Sequence, residues 1–194
     1  MKHIKMLGFA VMAMAALLAF AGSASAAPAL TSPAGTEYTG ELNATAESSL
    51  LLKAGFANIT CTASTVAGKV ETNDEKLASG KIATLSFSNC GSTTVDTLAT
   101  GSLQITTTGK GENKGTVTGS GSEVTVAQFG VSCVYGTKTG TTLGTATGSA
   151  SSTSNATLKF EASLPLISGG FGCANPAVWT GSYTLTKPVP LFID

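Results

Sequence analysis

Apolar and polar residues alternate along several segments of the chain, with the period of two that a half-buried β-strand shows. In residues 156–164 every second side chain is apolar, and residues 102–105 and 123–126 repeat the pattern over a shorter length. In residues 179–185 the bulky apolar side chains would share one face, with serine and threonine on the other. These segments predict strands with one buried face.

Short clusters of glycine, asparagine and serine separate these segments at fairly even intervals, which is typical of tight turns. The only stretch with weak helical character is 43–54, and its run of leucines fits a strand equally well. We therefore predict an all-β protein. Its expected architecture is an antiparallel β-sandwich, Greek-key or jelly-roll-like, of about ten to twelve strands.

The first 26 residues have the three parts of a secretory signal peptide. Lys2, His3 and Lys5 are positive, an apolar run follows over 6–20, and small residues at 24–26 form a cleavage site. We therefore predict a signal helix in 1–26 and a single secreted domain over 27–194, with no transmembrane segment after cleavage. The expected location is extracellular or at the cell surface, with the periplasm as an alternative.

All four cysteines follow the predicted leader. In an oxidising compartment they are expected to pair, and four cysteines allow three connectivities. We favour the pairing that is local to each half of the chain. A metal or redox role is disfavoured because no Cys-x-x-Cys occurs and no histidine follows the leader. The favoured bridges are Cys61–Cys90 and Cys133–Cys173.

Composition excludes several kinds of chemistry. The one histidine is His3 and the chain has no arginine, which removes Ser-His-Asp hydrolysis and arginine-led phosphate recognition. With 11 basic and 11 acidic residues, the chain lacks the basic excess of a nucleic-acid-binding protein. The acidic cluster at 71–75 does not have the spacing of a calcium loop. We expect no enzymatic activity, no catalytic residue, no cofactor and no metal.

Phe171 stands in a glycine-rich turn within 165–173. A backbone with little side-chain cover would present this ring to a ligand or partner. The alternative is that the ring packs on the neighbouring disulfide and caps one end of the sandwich.

Several segments are also familiar as a set, namely 59–62, 129–136, 165–173, 179–186 and 188–192. Together they resemble the alkane-oxidation activator (Pra-type) family of small secreted bacterial proteins, over roughly residues 36–194. The resemblance implies an extracellular or surface protein that aids the use of water-insoluble hydrocarbons, and it brings no catalytic residue.

The function that we expect is that of an exported, non-enzymatic protein acting by contact. Its expected partner is a hydrocarbon surface or a second copy of itself. The alternative is a structural subunit of a surface fibre or biofilm matrix, because strand-rich subunits can add a strand to a neighbour's open edge.

Overall fold

The computed structural model describes residues 27–55 and 57–194, and the predicted signal peptide and its helix lie outside these residues. Within them the regular structure consists of β-strands alone, so the all-β prediction is confirmed. Among the described residues there is no helix with the length and apolar character needed to cross a membrane.

Sixteen strands form in the described part of the chain. They exceed the expected ten to twelve because two are only two residues long, and because the ambiguous stretch 43–54 divides into strands. The strands are β1 (Leu30–Thr31), β2 (Glu41–Ala46), β3 (Leu50–Ala54), β4 (Ala57–Cys61), β5 (Ala63–Asn73), β6 (Leu77–Ser88), β7 (Thr94–Ala99), β8 (Ser102–Thr107), β9 (Lys114–Ser120), β10 (Glu123–Gln128), β11 (Val131–Gly136), β12 (Thr141–Thr147), β13 (Thr157–Leu164), β14 (Leu166–Gly169), β15 (Ala177–Lys187) and β16 (Phe192–Ile193).

Eight of the strands close into an antiparallel barrel in the order β13-β12-β9-β8-β6-β5-β2-β15. The ring closes because β13 pairs with β15 along its whole length, from Thr157 opposite Thr184 to Leu164 opposite Ala177. The two-sheet sandwich that we expected is therefore corrected to a closed barrel. Both architectures need the same alternation of side chains, but closure also removes two exposed sheet edges.

A smaller sheet of four strands, in the order β14-β11-β10-β7, packs against one end of the barrel. It faces the β3–β4 hairpin, which extends from the first half of β15. Leu52 and Ile59 from the hairpin line the same internal space as Val124 and Tyr135 from the small sheet. Sheet-on-sheet packing is therefore present, but only in this part of the molecule.

The long strands β5 and β6 approach each other closely at two glycines, one on each strand. A Cβ atom on Gly68 would collide with the carbonyl oxygen of Lys81, and one on Gly80 would collide with that of Lys69. The register of the pair also shifts beside Gly68. Such irregularities increase the local twist, which allows these strands to curve around the barrel.

The barrel interior follows the predicted alternation. On β13 the side chains of Phe160, Ala162 and Leu164 are buried, whereas the polar residues between them are exposed. Phe160 stacks on Trp179 with ring centroids 4.9 Å apart and meets Tyr183 edge-on at 5.3 Å. This aromatic cluster fills the end of the barrel that faces the small sheet.

The two terminal segments plug the opposite part of the barrel. Strand β1 pairs with β16, and Leu30 and Thr31 are fully buried. The plug is held by polar side chains that replace ladder hydrogen bonds. Asn73 accepts from the Leu30 amide at 2.9 Å and donates to the Leu30 carbonyl at 2.7 Å, and Asn113 accepts from the Ile193 amide at 3.0 Å. Asn73 therefore has a structural role within the acidic cluster.

Candidate functional site

The exposed apolar side chains concentrate on the four-stranded sheet. Of the large hydrophobic residues exposed in the described part of the chain, four belong to this sheet or to its turns, namely Leu98, Phe129, Ile167 and Phe171. The two phenylalanines are the most exposed, at 85% for Phe129 and 103% for Phe171. Single exposed apolar residues need no explanation, but two phenylalanines on one small sheet do.

Phe129 occupies the turn between β10 and β11. Gln128 pairs with Val131, so the hairpin turn contains only Phe129 and Gly130. Both have positive φ values, of 51° and 79°, as a two-residue type I′ turn requires. Asparagine, aspartate or glycine usually occupies the first of these positions, because a bulky side chain at positive φ is strained by about 1–2 kcal/mol. Phe129 therefore occupies a position where the positive φ and the exposure of an apolar ring to water are both unfavourable.

Phe171 lies in the loop that follows β14. The loop turns back tightly, with the Cys173 amide donating to the Gly170 carbonyl at 3.2 Å. The Phe171 ring is fully exposed, so it does not pack on the disulfide. Of the two alternatives for this residue, presentation to solvent is the one that the geometry fits.

The two rings lie at the same end of the sheet. Cys133 of β11 pairs with Gly169 of β14 in antiparallel register, so the start of β11 and the end of β14 coincide. Phe129 precedes β11 and Phe171 follows β14. We call this end, made of residues 128–131 and 169–173, the aromatic tip.

The aromatic tip carries no charge. Its two segments contain only glycine, valine, glutamine, cysteine and the two phenylalanines. The four strands of the sheet carry just two charged residues, Asp96 and Glu123, and neither belongs to the tip. The two segments that carry the rings thus consist of neutral, mostly small residues.

Both disulfides are the ones favoured from the sequence, Cys61–Cys90 and Cys133–Cys173. The second bridge ties the loop of Phe171 to β11 and so braces the aromatic tip. Their sequence separations of 29 and 40 residues correspond to about 3.5–4 kcal/mol each in the chain-entropy model. Two bridges and no free cysteine in the described residues indicate an oxidising compartment outside the cytoplasm.

Two internal cavities lie behind these surfaces. One, of about 70 Å³, is inside the barrel under the terminal plug and has Leu30, Leu185 and Ile193 in its wall. The other, of about 60 Å³, lies between the small sheet and the barrel. Tyr135 and Trp179 line this second cavity, and burial raises the pKa of the Tyr135 hydroxyl.

Within residues 27–55 and 57–194 no three metal-ligating side chains come together. In the acidic cluster, Glu71 pairs with Lys81 at 3.4 Å on the surface while Asn73 points inward. Sequence reasoning identified Phe171 as a candidate but did not single out Phe129. The available signal was the Phe-Gly pair between two alternating runs, which is consistent with a two-residue turn.

The fold and the site together define an all-β protein with two disulfides, a closed barrel and an uncharged aromatic tip. No protein-family model, curated protein or solved structure matches this chain significantly. The resemblance to the alkane-oxidation activator family therefore stays a prediction.

Proposed function

We propose that this protein is exported, is not an enzyme, and acts by attaching to hydrophobic surfaces such as alkane droplets through its aromatic tip. The observation that carries the proposal is the high exposure of both Phe129 and Phe171 at one end of a small sheet. Two disulfides support a location outside the cytoplasm, and the predicted leader supports secretion to the medium or cell surface.

The transfer free energy of the two rings favours an apolar phase as the surface that the aromatic tip contacts. Transferring one phenylalanine side chain out of water contributes about 1.5–3 kcal/mol. When both rings enter the apolar phase together, both contributions add to the free energy of binding. A disulfide-braced loop and a two-residue turn also hold the rings in place before contact, which reduces the entropy lost on binding.

The uncharged surroundings distinguish an alkane phase from an anionic membrane. Surface helices and loops that bind anionic lipids carry lysine or arginine beside their apolar residues. The aromatic tip has neither, and the chain as a whole has no arginine. A neutral hydrocarbon surface is therefore the better match.

The experiment compares droplet binding by residues 27–194, expressed with both disulfides formed. We expect the variant Phe129→Ser/Phe171→Ser to bind hexadecane droplets at least about tenfold more weakly than the unmodified protein, because two buried rings are lost. Binding is measured by co-flotation with droplets and by the rate at which oil–water tension falls.

The matched control changes two exposed apolar residues away from the tip, Leu98→Ser/Val189→Ser. It also removes exposed apolar surface, in a smaller amount because Leu98 and Val189 are 59% and 43% exposed, and it should bind droplets like the unmodified protein. Equal loss in both variants, or no loss in the tip variant, would overturn the proposal. Vesicles containing phosphatidylserine serve as the second surface, and stronger binding to them than to hexadecane would also overturn it.

A second candidate function is that of a fibre or matrix subunit. It is favoured by the open outer edges of β4, β7 and β14, which end their sheets in the described part of the chain. Unpaired strand edges are templates for another chain. Under this alternative, concentrated protein forms detergent-resistant polymers, and a proline at Ile167 in β14 blocks them without changing droplet binding.

A further inference from the structure

The barrel encloses an apolar space that its own side chains leave unfilled. The cavity of about 70 Å³ lies under the terminal plug, and its surface is almost wholly apolar. Its wall includes three buried alanines from three different strands, namely Ala44 of β2, Ala78 of β6 and Ala146 of β12. Small side chains at these inward positions leave room that larger ones would fill.

The wall gives a water molecule no side-chain partner to bind. Its polar residues include Lys69, Lys81 and Thr147, which are exposed on the barrel surface. In the described part of the chain the buried side-chain polar atoms without a hydrogen-bond partner belong to Tyr135 and Trp179, and neither residue lines this cavity. A buried water needs about two to four polar partners, and apolar cavities without them stay dry. The occupant that fits is therefore an apolar molecule.

The volume of the cavity limits the size of that molecule. An apolar cavity of about 150 Å³ engineered into another protein binds benzene, so in proportion about 70 Å³ holds about three carbon atoms. Protein interiors contain few voids larger than a water molecule, because the atoms beside a void lose their dispersion contacts. A ligand of this size would restore those contacts.

We propose that the barrel cavity is a binding site for small hydrocarbons of about three carbon atoms, such as propane. The site is separate from the aromatic tip and does not rest on the function proposed for the tip. A dissociation constant of about 1 mM is expected, because the binding free energy per heavy atom has an upper limit even for the best small ligands.

The isoleucines of the chain make binding at this site directly observable. Ile82, Ile105 and Ile193 line the barrel cavity, whereas Ile167 of β14 is exposed. Residues 27–194, labelled with ¹³C at the isoleucine methyl groups and with both disulfides formed, are titrated with propane dissolved under pressure. We expect the methyl resonances of the three barrel isoleucines to shift saturably, and that of Ile167 to move little.

The matched probe is ethanol, which has as many heavy atoms as propane and carries a hydroxyl group in place of one methyl group. This hydroxyl group would find no hydrogen-bond partner in the cavity, and burying it without one is unfavourable. Ethanol should therefore cause no saturable shift of the barrel isoleucines at the concentrations at which propane saturates them.

A variant that fills the cavity tests the location of the site. Ala78→Val adds two methyl groups at the wall, so it should weaken propane binding at least about tenfold by occupying the space of a three-carbon ligand. The control Ala83→Val makes the same change on the same strand, at an exposed residue outside the wall, and should bind propane like the unmodified protein. If Ala78→Val does not fold, Ala146→Val makes the same test from β12.

The variant Phe129→Ser/Phe171→Ser should keep its propane binding, which separates this site from the aromatic tip. Three results would overturn the proposal. The first is a propane titration in which the barrel isoleucines do not saturate, or shift no more than Ile167. The second is an equal saturable response to ethanol. The third is undiminished propane binding by a folded variant with a filled cavity.

Discussion

The barrel and the four-stranded sheet differ in the burial and hydrogen bonding of their aromatic side chains. In the barrel the aromatic rings of Phe160 and Tyr183 are buried and packed against each other, and the Tyr183 hydroxyl is hydrogen-bonded. In the small sheet Phe129 and Phe171 are exposed, and the hydroxyl of Tyr135 lacks a partner.

The contrast separates what stabilises the molecule from what is available to act. Natural proteins are locally consistent except at functional or strained sites. The departures from consistency gather on the small sheet, at the aromatic tip and at the buried hydroxyl of Tyr135. The barrel is accordingly the scaffold, and the small sheet is the region where contact with a hydrophobic surface is proposed.

The largest expected difference between the barrel and the small sheet is in the free energy of unfolding that is lost when an aromatic ring is removed. Phe160→Ala should lower the free energy of unfolding by about 3–5 kcal/mol, because it empties a packed site beside Trp179. Phe129→Ala at the exposed turn should change it by less than about 0.5 kcal/mol. Urea denaturation followed by circular dichroism measures both, and comparable losses would contradict the division into scaffold and tip.

Next in size is the loss of a disulfide. Replacing both cysteines of either bridge by alanine should destabilise the protein by about 2–4 kcal/mol. Droplet binding should fall only when Cys133 and Cys173 are replaced, because this bridge holds the loop of Phe171. The Cys61/Cys90 variant is the control, and unchanged droplet binding in the Cys133/Cys173 variant would show that the tip needs no brace.

A pH titration tests the barrel separately from the small sheet, through the ionisation of the buried Tyr183 hydroxyl. Burial raises the pKa of Tyr183 to about 12 from its ordinary value of 10.0, although its hydrogen bond with Ser64 opposes the shift. Because the folded state holds this proton more tightly, its contribution is complete below pH 10 and is lost as pH rises through about 12. The expected loss is about 2–3 kcal/mol.

The measurement is denaturant unfolding at several alkaline pH values, with Tyr183→Phe as the control. All other titratable groups are the same in both proteins, so the difference between the two curves reports on Tyr183. Parallel curves for the two proteins would refute the assignment.

The smallest expected effect is at the turn of the aromatic tip. Phe129→Asn should stabilise the protein by about 0.5–1 kcal/mol, because asparagine tolerates the positive φ of 51° that phenylalanine resists. The same change should weaken droplet binding. Phe129→Leu keeps the apolar side chain and the strain, so it should leave both quantities nearly unchanged. A destabilised asparagine variant would mean that the Phe129 ring supports the fold.

Several local features were predictable from sequence because they depend on neighbouring residues. The inward side chains of β13 follow from alternation, and the two disulfides follow from closeness along the chain. The exposure of Phe171 was one of two open alternatives, because a glycine-rich turn limits cover but does not show where the ring points.

Other features were not predictable, and each depends on partners far apart in the chain. Asn73 reads as part of a polar cluster, but it holds the plug strand through Leu30, which is 43 residues away. The cavity lined by Tyr135 and Trp179 exists only where the small sheet meets the barrel. Neither residue is marked by its immediate sequence.

By itself the sequence determined that this chain is built of strands, where they alternate and which cysteines are near enough to bridge. Tertiary structure alone decided that the strands close into a barrel, that a separate sheet is left over, and that two phenylalanines share one uncharged end. Alternation specifies that one face of each strand is buried, and a barrel and a sandwich satisfy it equally. The choice was made by long-range pairing of β13 with β15, which no local pattern encodes.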